Sequence, residues 1–412
     1  MRRIHTLLLG VFFFQLLNAQ QQNLDYFLTR GLQNSPLLKD YQNRLRSASI
    51  DSLRLKATLG LHVNATSVNS YAPVINGWGY DEVKTDLANV SALAGITREI
   101  IGNNNLRNKY QALHLQNIST SIEGSLSEKD LRRSIISQYI LAYGEQQLHA
   151  FNTEVTDVLR QEEQIVKKLT ERGVLKQTEY LSLLVNLRQQ EIITAASGIQ
   201  SKSELELLNV MCGIYDTAFV KLAEPDLTVS IMAGPVNTLT YQQFETDSLK
   251  LVNASRQINF EYRPKLSVYA DGGYLSSMTY RPEKNFGISA GFTLTMPIYD
   301  GGQRKMQHDQ IAIAEETRTG YRNFYTSQYL QQIGMLTRQL ANQGLLLRKC
   351  AEQMTYAQTL IDANRALLST GDVSVTDYLL SVNNYLNARN QLIENTLTKF
   401  RIINEINYWS QK

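Results

Sequence analysis

Cysteine is almost absent. Cys212 and Cys350 are the only two, so one disulfide is possible and a disulfide framework is excluded. Neither stands near the start of the chain, where a lipid anchor would be attached. Histidine is sparse too. His62, His114, His149 and His308 are scattered, and neither H-E-x-x-H nor C-x-x-C occurs, so a metal site has no sequence support. No phosphate-cradling loop is present, because Gly301-Gly302 lacks the lysine and the spacing. Charge is nearly balanced. The chain has 41 basic and 38 acidic residues, and setting aside Arg2 and Arg3 leaves 39 against 38, which is not the balance of a nucleic-acid-binding protein. Beyond residue 19 no apolar run is long enough for a membrane-crossing helix. Entry into a membrane would require strands in a closed barrel.

Residues 1–19 combine a basic start at Arg2 and Arg3, an apolar stretch from Leu7 to Leu17 and the small residue Ala19. That is the pattern of a cleaved secretory signal peptide, which places the rest of the chain outside the cytoplasm.

The seven prolines divide what remains: none lies between residues 98 and 224, and none after 297. Proline is costly inside a helix, so both stretches are free to be helical. Their apolar residues recur at steps of three, four and seven. Ile333, Leu336, Leu340, Leu347, Cys350, Met354, Ala357, Ile361 and Leu368 form one track, with Gln343 and Asn364 in its polar gaps. Leu379, Leu386, Ile393 and Phe400 form another, flanked by Val375, Val382 and Ile403. These are heptad seams on the two arms of a hairpin. A helix from Gln303 to Ser369 would be ~100 Å long and would need parallel neighbours.

Between the helical stretches the period changes to two. Phe286, Ile288, Ala290, Phe292, Leu294, Met296 and Ile298 point one way, and Gly287, Ser289, Gly291, Thr293 and Thr295 the other. This predicts a half-buried strand with one greasy and one small polar face. Its partner carries Leu266, Val268 and Ala270 on one face, across a loop at Arg281 to Glu283. A second pair is expected at 60–72 and 83–97, around a loop at Pro73, Asn76-Gly77 and Gly79. Each strand is long enough to cross a bilayer when tilted. Four per chain cannot close a barrel alone, so such a chain would oligomerise.

The chain also contains one turn twice. Gly173 to Leu181 reads G-V-L-K-Q-T-E-Y-L and Gly371 to Leu379 reads G-D-V-S-V-T-D-Y-L. At an offset of 198, Gly173, Thr178, Tyr180 and Leu181 match Gly371, Thr376, Tyr378 and Leu379, and Glu179 answers Asp377. A repeat of this length marks two copies of one supersecondary unit. The expected organisation is a signal peptide at 1–19, a first repeat at 20–212 with its tip near 172–178, an equatorial linker at 213–239, and a second repeat at 240–412. That second repeat holds a strand pair at 264–279 and 286–298 and a tip near 370–377. Gly173 and Gly371 are read as the helix-ending glycines of the tips. Gly287-Ile288-Ser289-Ala290-Gly291 spells a nucleophile elbow but sits in mid-strand, where that motif has no turn on which to expose its serine. After the clean strand, Pro297 leads to Asp300-Gly301-Gly302. Glycine there supplies unusual backbone angles and aspartate caps the next helix.

The signal peptide, the doubled unit of strand pair and helical hairpin, the run T-M-P-I-Y-D-G-G-Q-R from Thr295 to Arg304 and the G-x5-D-Y-L turn together resemble the TolC-type outer-membrane efflux family, over nearly the whole mature chain. The resemblance implies a mainly α protein with a β-barrel part: a homotrimer whose twelve strands share one outer-membrane barrel and whose helices build an α-barrel through the periplasm. Its partners would be outer-membrane lipid, a periplasmic adaptor and an inner-membrane transporter, with no nucleic acid. The protein would be the exit duct of a tripartite efflux or type I secretion system, without cofactor or catalysis. The family's aspartate constriction falls on Asp377. The second acidic position falls on Leu380, and Val373 stands where an arginine gate link is expected, although Glu179 keeps its acidic partner. The first copy lacks the P-I-Y-D-G-G run, and Gly102 in R-E-I-I-G-N-N-N is placed to serve its backbone role. The rival readings are a soluble periplasmic coiled-coil adaptor or scaffold, in which the greasy strand face would be packed in a core, and a secreted hydrolase using Ser289.

Overall fold

The computed structural model describes residues 22–72, 76, 78, 87–216, 218–230, 234–278 and 281–410. The signal-peptide stretch at 1–19 and most of the loop around Pro73 to Gly79 lie outside them. Helices α1 (Leu24–Asn34) and α2 (Pro36–Thr58) come first, followed by strands β1 (His62–Ala72) and β2 (Leu87–Ile100) and helices α3 (Asn103–Glu171) and α4 (Gln177–Met211). The second half runs α5 (Leu239–Glu261), β3 (Lys265–Ser276), β4 (Phe286–Thr295), α6 (Gln303–Thr370) and α7 (Val375–Ser410). Pro36 opens α2 at its first position, where the missing N–H is not needed. Helices α3 and α6 have 69 and 68 residues and contain no proline, as their long uninterrupted ladders require.

The two compact units of the fold are not the two sequence repeats. One gathers the chain up to Pro36, Ser127–Gly234 and the chain from Tyr329, and the other gathers Leu37–Leu126 and Pro235–Gln328. Each therefore takes corresponding pieces from both halves.

In the first unit the core is a seam between hairpins. Phe151, Val155, Leu159 and Val166 of α3 pack with Leu183 and Leu187 of α4, with Ala357, Ile361 and Leu368 of α6, and with Val375, Leu379 and Val382 of α7. Of the heptad residues read from the second half, Ala357, Ile361, Leu368, Val375, Leu379 and Val382 meet here, with Met354 and Leu386 packed against them. Gln343, a polar seam position, donates to the backbone carbonyl and side-chain oxygen of Asn395, both at 2.9 Å. The α3–α4 contact is different, because much of it is polar. Gln190 donates to Asn152, the hydroxyls of Thr156 and Thr194 lie 2.7 Å apart, and His149 meets Ser197. Helix α4 correspondingly turns Val185, Ile192 and Ile199, spaced by seven, away from that contact and leaves them exposed. Cys212 and Cys350 are both buried and both free, so the possible disulfide is not formed.

In the second unit the four strands form one antiparallel sheet in the order β1-β2-β3-β4. Its register runs without interruption, with Val63 opposite Ile96, Ile96 opposite Ala270, Val268 opposite Phe292 and Leu266 opposite Leu294. Opposed residues share a face. One face thus carries Val63, Ala94, Ile96, Val268, Phe292 and Leu294. The other carries Asn64, Thr66, Ser91, Thr97, Asp271, Ser289 and Thr293.

Candidate functional site

Two regions concentrate features that simple packing does not explain: the doubled turn in the first unit and the sheet in the second.

Both turns close their helices by the same device. At the first, Gly173 N–H donates to Thr170 O and Val174 N–H to Leu169 O, at 2.9 Å each. At the second, Gly371 N–H donates to Leu368 O and Asp372 N–H to Leu367 O. This pair of bonds is the Schellman closure, which needs a left-handed residue just past the helix. Gly173 has φ +74° and Gly371 φ +83°. The two turns also touch: a Cβ built on Gly371 would lie 3.2 Å from Val174 Cγ1.

The following helices start on their acids. Glu179 accepts the Lys176 N–H at 3.0 Å. Asp377 accepts the Ser374 hydroxyl at 2.7 Å, while that hydroxyl oxygen accepts the Asp377 N–H at 3.1 Å. Both acids therefore complete first-turn caps, where negative charge also suits the helix dipole. Asp377 is exposed, Val373 is half-buried, and Leu380 is 60% exposed.

An ion pair does join the two hairpins, farther from the turns. Arg365 Nε of α6 donates to Glu162 Oε1 of α3 at 2.6 Å, and its other arm donates to Gln161 at 3.0 Å. The Glu162 side chain is 1% exposed, and its second oxygen has no partner among the described residues. Tyr378, fully buried, holds a hydroxyl that is likewise without a partner among them. Burial, with the Glu162 carboxylate nearby as a smaller cause, pushes that phenol well above its ordinary pKa. The equivalent Tyr180 instead donates to Glu163 of its own hairpin at 2.7 Å. No periodicity or motif pointed to Glu162 and Arg365, since in sequence they are two charges among many on long helices.

At the end of β4, Asp300 accepts the N–H of Gly302 at 2.9 Å and that of Arg304 at 2.7 Å. These contacts, the Arg304 N–H foremost and the Tyr262 hydroxyl next, hold its carboxyl below the usual range. Gly301 and Gly302 are left-handed, at φ +67° and +85°. Pro297 lies just after the strand, outside any regular element. The matching transition at Gly102 is made without a left-handed residue, so the backbone role expected of Gly102 is not filled there. Ser289 sits in mid-strand and donates to Asp271 across the sheet at 2.9 Å, which excludes an elbow geometry. The described residues contain no group of His, Cys, Asp and Glu able to hold a metal ion.

The sheet's greasy face is bare. Phe286 is 74% exposed, Ile288 94%, Phe292 73% and Leu294 64%. Strands β1 and β4 are both edges. No described helix is long and apolar enough to cross a membrane.

No family model matches the chain, and no curated protein matches it by sequence. Solved structures do match it in fold. A membrane protein from Pseudomonas aeruginosa superposes with TM-score 0.77 at 12% identity, over 94% of this chain and 89% of its own. The outer membrane protein VceC from Vibrio cholerae gives 0.74 at 13%, over 94% and 95%. The CmeC outer membrane channel of Campylobacter jejuni gives 0.74 at 13%, over 95% and 86%. The mainly helical fold with one small antiparallel sheet is thus the fold of outer-membrane channels, and the resemblance read from the sequence holds at that level.

Proposed function

We propose that three copies of this chain form an outer-membrane exit duct that reaches into the periplasm and passes cargo from an inner-membrane transporter through a periplasmic adaptor. The observation that carries this reading is the sheet, with its bare apolar face and two open edges. In water such a face is a large exposed apolar patch and such edges invite aggregation. In lipid the face is solvated, and each edge must pair because no water is there to satisfy it. Pairing β4 of one copy with β1 of the next answers both needs. Three copies give twelve strands, within the range of closed membrane barrels. The polar face, with Ser91, Thr97, Ser289 and Asp271, then lines the lumen. The exposed stripe on α4 supports contact between copies along the helices as well.

In this reading the two repeats, 20–212 and 240–412 around the linker 213–239, place both turns at the periplasmic mouth. Three Asp377 carboxylates there would favour cations. Their capping bonds use only part of each carboxylate, so the two roles are compatible. The alternative of a soluble periplasmic scaffold needs the sheet face packed in a core, and the bare face counts against it. The test is fractionation followed by reconstitution. The chain should pellet with outer membrane, run as a trimer in detergent and conduct in a planar bilayer. A monomer in the periplasmic fraction would reject the reading. Asp377→Asn should lower cation selectivity, and unchanged selectivity would remove Asp377 from the constriction.

A further inference from the structure

One residue on the bare face of the sheet does not belong there. Within the strands, Arg98 is the only charged residue on the face that carries Val63, Ile96, Val268 and Phe292. It lies between Ile96 and Ile100 along β2 and opposite Val268 on β3. It is exposed and makes no ion pair or hydrogen bond among the described residues. The face offers it none, since no carboxylate in these strands points the same way.

We propose that Arg98 binds the phosphate of a phospholipid in the leaflet nearest the helices and so fixes the depth at which the sheet sits. The proposal rests on the membrane reading above. A guanidinium is never neutral, and its planar fork matches phosphate oxygens in pairs. Its aliphatic stem can lie along Ile96 and Ile100 while the head reaches the headgroup layer. The dimensions agree. From Ala88 to Arg98 the strand advances ten residues, about 33 Å at ~3.3 Å each, or about 25 Å at a tilt of ~40°. That matches the ~25 Å apolar band of outer-membrane barrels. The far end of the span has the opposite kind of anchor: Tyr71, paired with Ala88, is exposed on the same face, and tyrosine favours the membrane–water interface. Just past Arg98 the surroundings remain positive. Arg263, Lys265 and the first turn of α3 line a cleft of about 280 Å³, with Glu99 its one carboxylate.

The full chain, purified in detergent, is titrated with phosphatidylglycerol, and bound lipid is counted by native mass spectrometry. Arg98→Gln should bind about fivefold more weakly, the worth of one basic residue at an anionic lipid surface. Arg98→Lys should keep part of the binding, and Lys399→Gln, at an exposed position on α7, should keep all of it. Arg98 is exposed, so its variants should fold, and an unchanged gel-filtration profile checks this. Equal binding by Arg98→Gln and wild type overturns the proposal. So does displacement of the lipid by millimolar inorganic phosphate, which would mark a free-anion site. Wild-type chain that retains no lipid and stays soluble rejects the membrane reading itself, whereas membrane-bound wild type with an indifferent Arg98→Gln rejects only the role of Arg98.

Discussion

The buried pair between the hairpins should respond asymmetrically to its two truncations. Glu162 is 1% exposed and Arg365 39%, so water can reach one partner and not the other. Removing the guanidinium strands a buried carboxylate whose second oxygen already lacks a partner among the described residues. Breaking a buried pair in this way costs about 3–5 kcal/mol, and the partial exposure of Arg365 points to the low end, about 3. Removing the carboxylate is milder, because the arginine head can turn to water and keep Gln161. Glu162→Leu should cost about 1 kcal/mol, the net worth of an ordinary hydrogen-bonded contact. Glu162→Leu with Arg365→Met should come close to wild type, since well-packed apolar replacements of buried pairs are often neutral. The assay is guanidinium unfolding of the detergent-solubilised chain at fixed protein concentration, because assembly of the proposed kind would make apparent stability concentration-dependent. Equal losses in the two single variants, or a double variant as poor as their sum, would refute the reasoning: the pair would then be no more than a surface contact.

The turns supply further tests. Gly173→Ala faces open space and should cost about 1 kcal/mol from its left-handed backbone alone, while Gly173→Asn should be nearly silent because asparagine tolerates that conformation. Gly371→Ala adds a contact with Val174 Cγ1 and should lower the thermal midpoint more than Gly173→Ala. Ser374→Ala removes a cap and should cost about 1 kcal/mol in chemical unfolding. Asp300, with its carboxyl held below the usual range, stabilises the fold when ionised. That contribution is present above the ordinary carboxylate pKa of about 3.9 and is lost as pH falls through the lower folded value. Asp300→Asn should therefore trail wild type at pH 7 and converge on it in strong acid, and a gap that widens below pH 4 would reverse the assignment.

The strands and the second hairpin were legible because a single physical preference governs each pattern. Alternation in β4 records which side chains share a face of the sheet, and proline-free heptads in α6 and α7 record which meet a neighbouring helix. The expectation of a helix at Gln303–Ser369 and the observed Gln303–Thr370 differ by one residue because Asp300 and Gly371 mark its ends in the sequence itself. The first hairpin was harder to read. Its inner contact mixes Leu183 and Leu187 with the polar Asn152, Thr156, Gln190 and Thr194, while Val185, Ile192 and Ile199 face outward. Apolar residues thus lie on both sides of α4, and apolar character alone does not give its orientation. Gly102 misled for a related reason: a glycine at the equivalent place in the chain does not show that its left-handed conformation is used. Glu162 and Arg365 gave no signal at all, since their pairing is set by how α3 and α6 lie side by side.

The doubled turn shows where duplication preserves structure and where it does not. Its backbone is the same in both copies: glycine at positive φ, Schellman bonds and an acid in the next first turn. These depend on residues within a few positions of each other, so they are retained whenever the local sequence is. The tyrosines one residue beyond the acids have diverged. Tyr180 has an acceptor in Glu163 of its own hairpin. The residue 198 positions after Glu163 is Ile361, buried in the core, so Tyr378 has no such acceptor and lies instead near Glu162 of the other hairpin. With isoleucine where the first copy has a carboxylate, the tyrosine of the second copy lies at the boundary between hairpins, where Arg365 reaches across, and not in a bond within its own hairpin. If the mouth opens by moving one hairpin against the other, resistance should come from this boundary rather than from Val373 or Leu380. Supplying the acceptor that the first copy has, with Ile361→Gln, should give Tyr378 a partner within its own hairpin and raise the open probability in bilayer recordings. A channel as quiet as wild type, with its fold intact by circular dichroism, would show that the boundary does not hold the mouth.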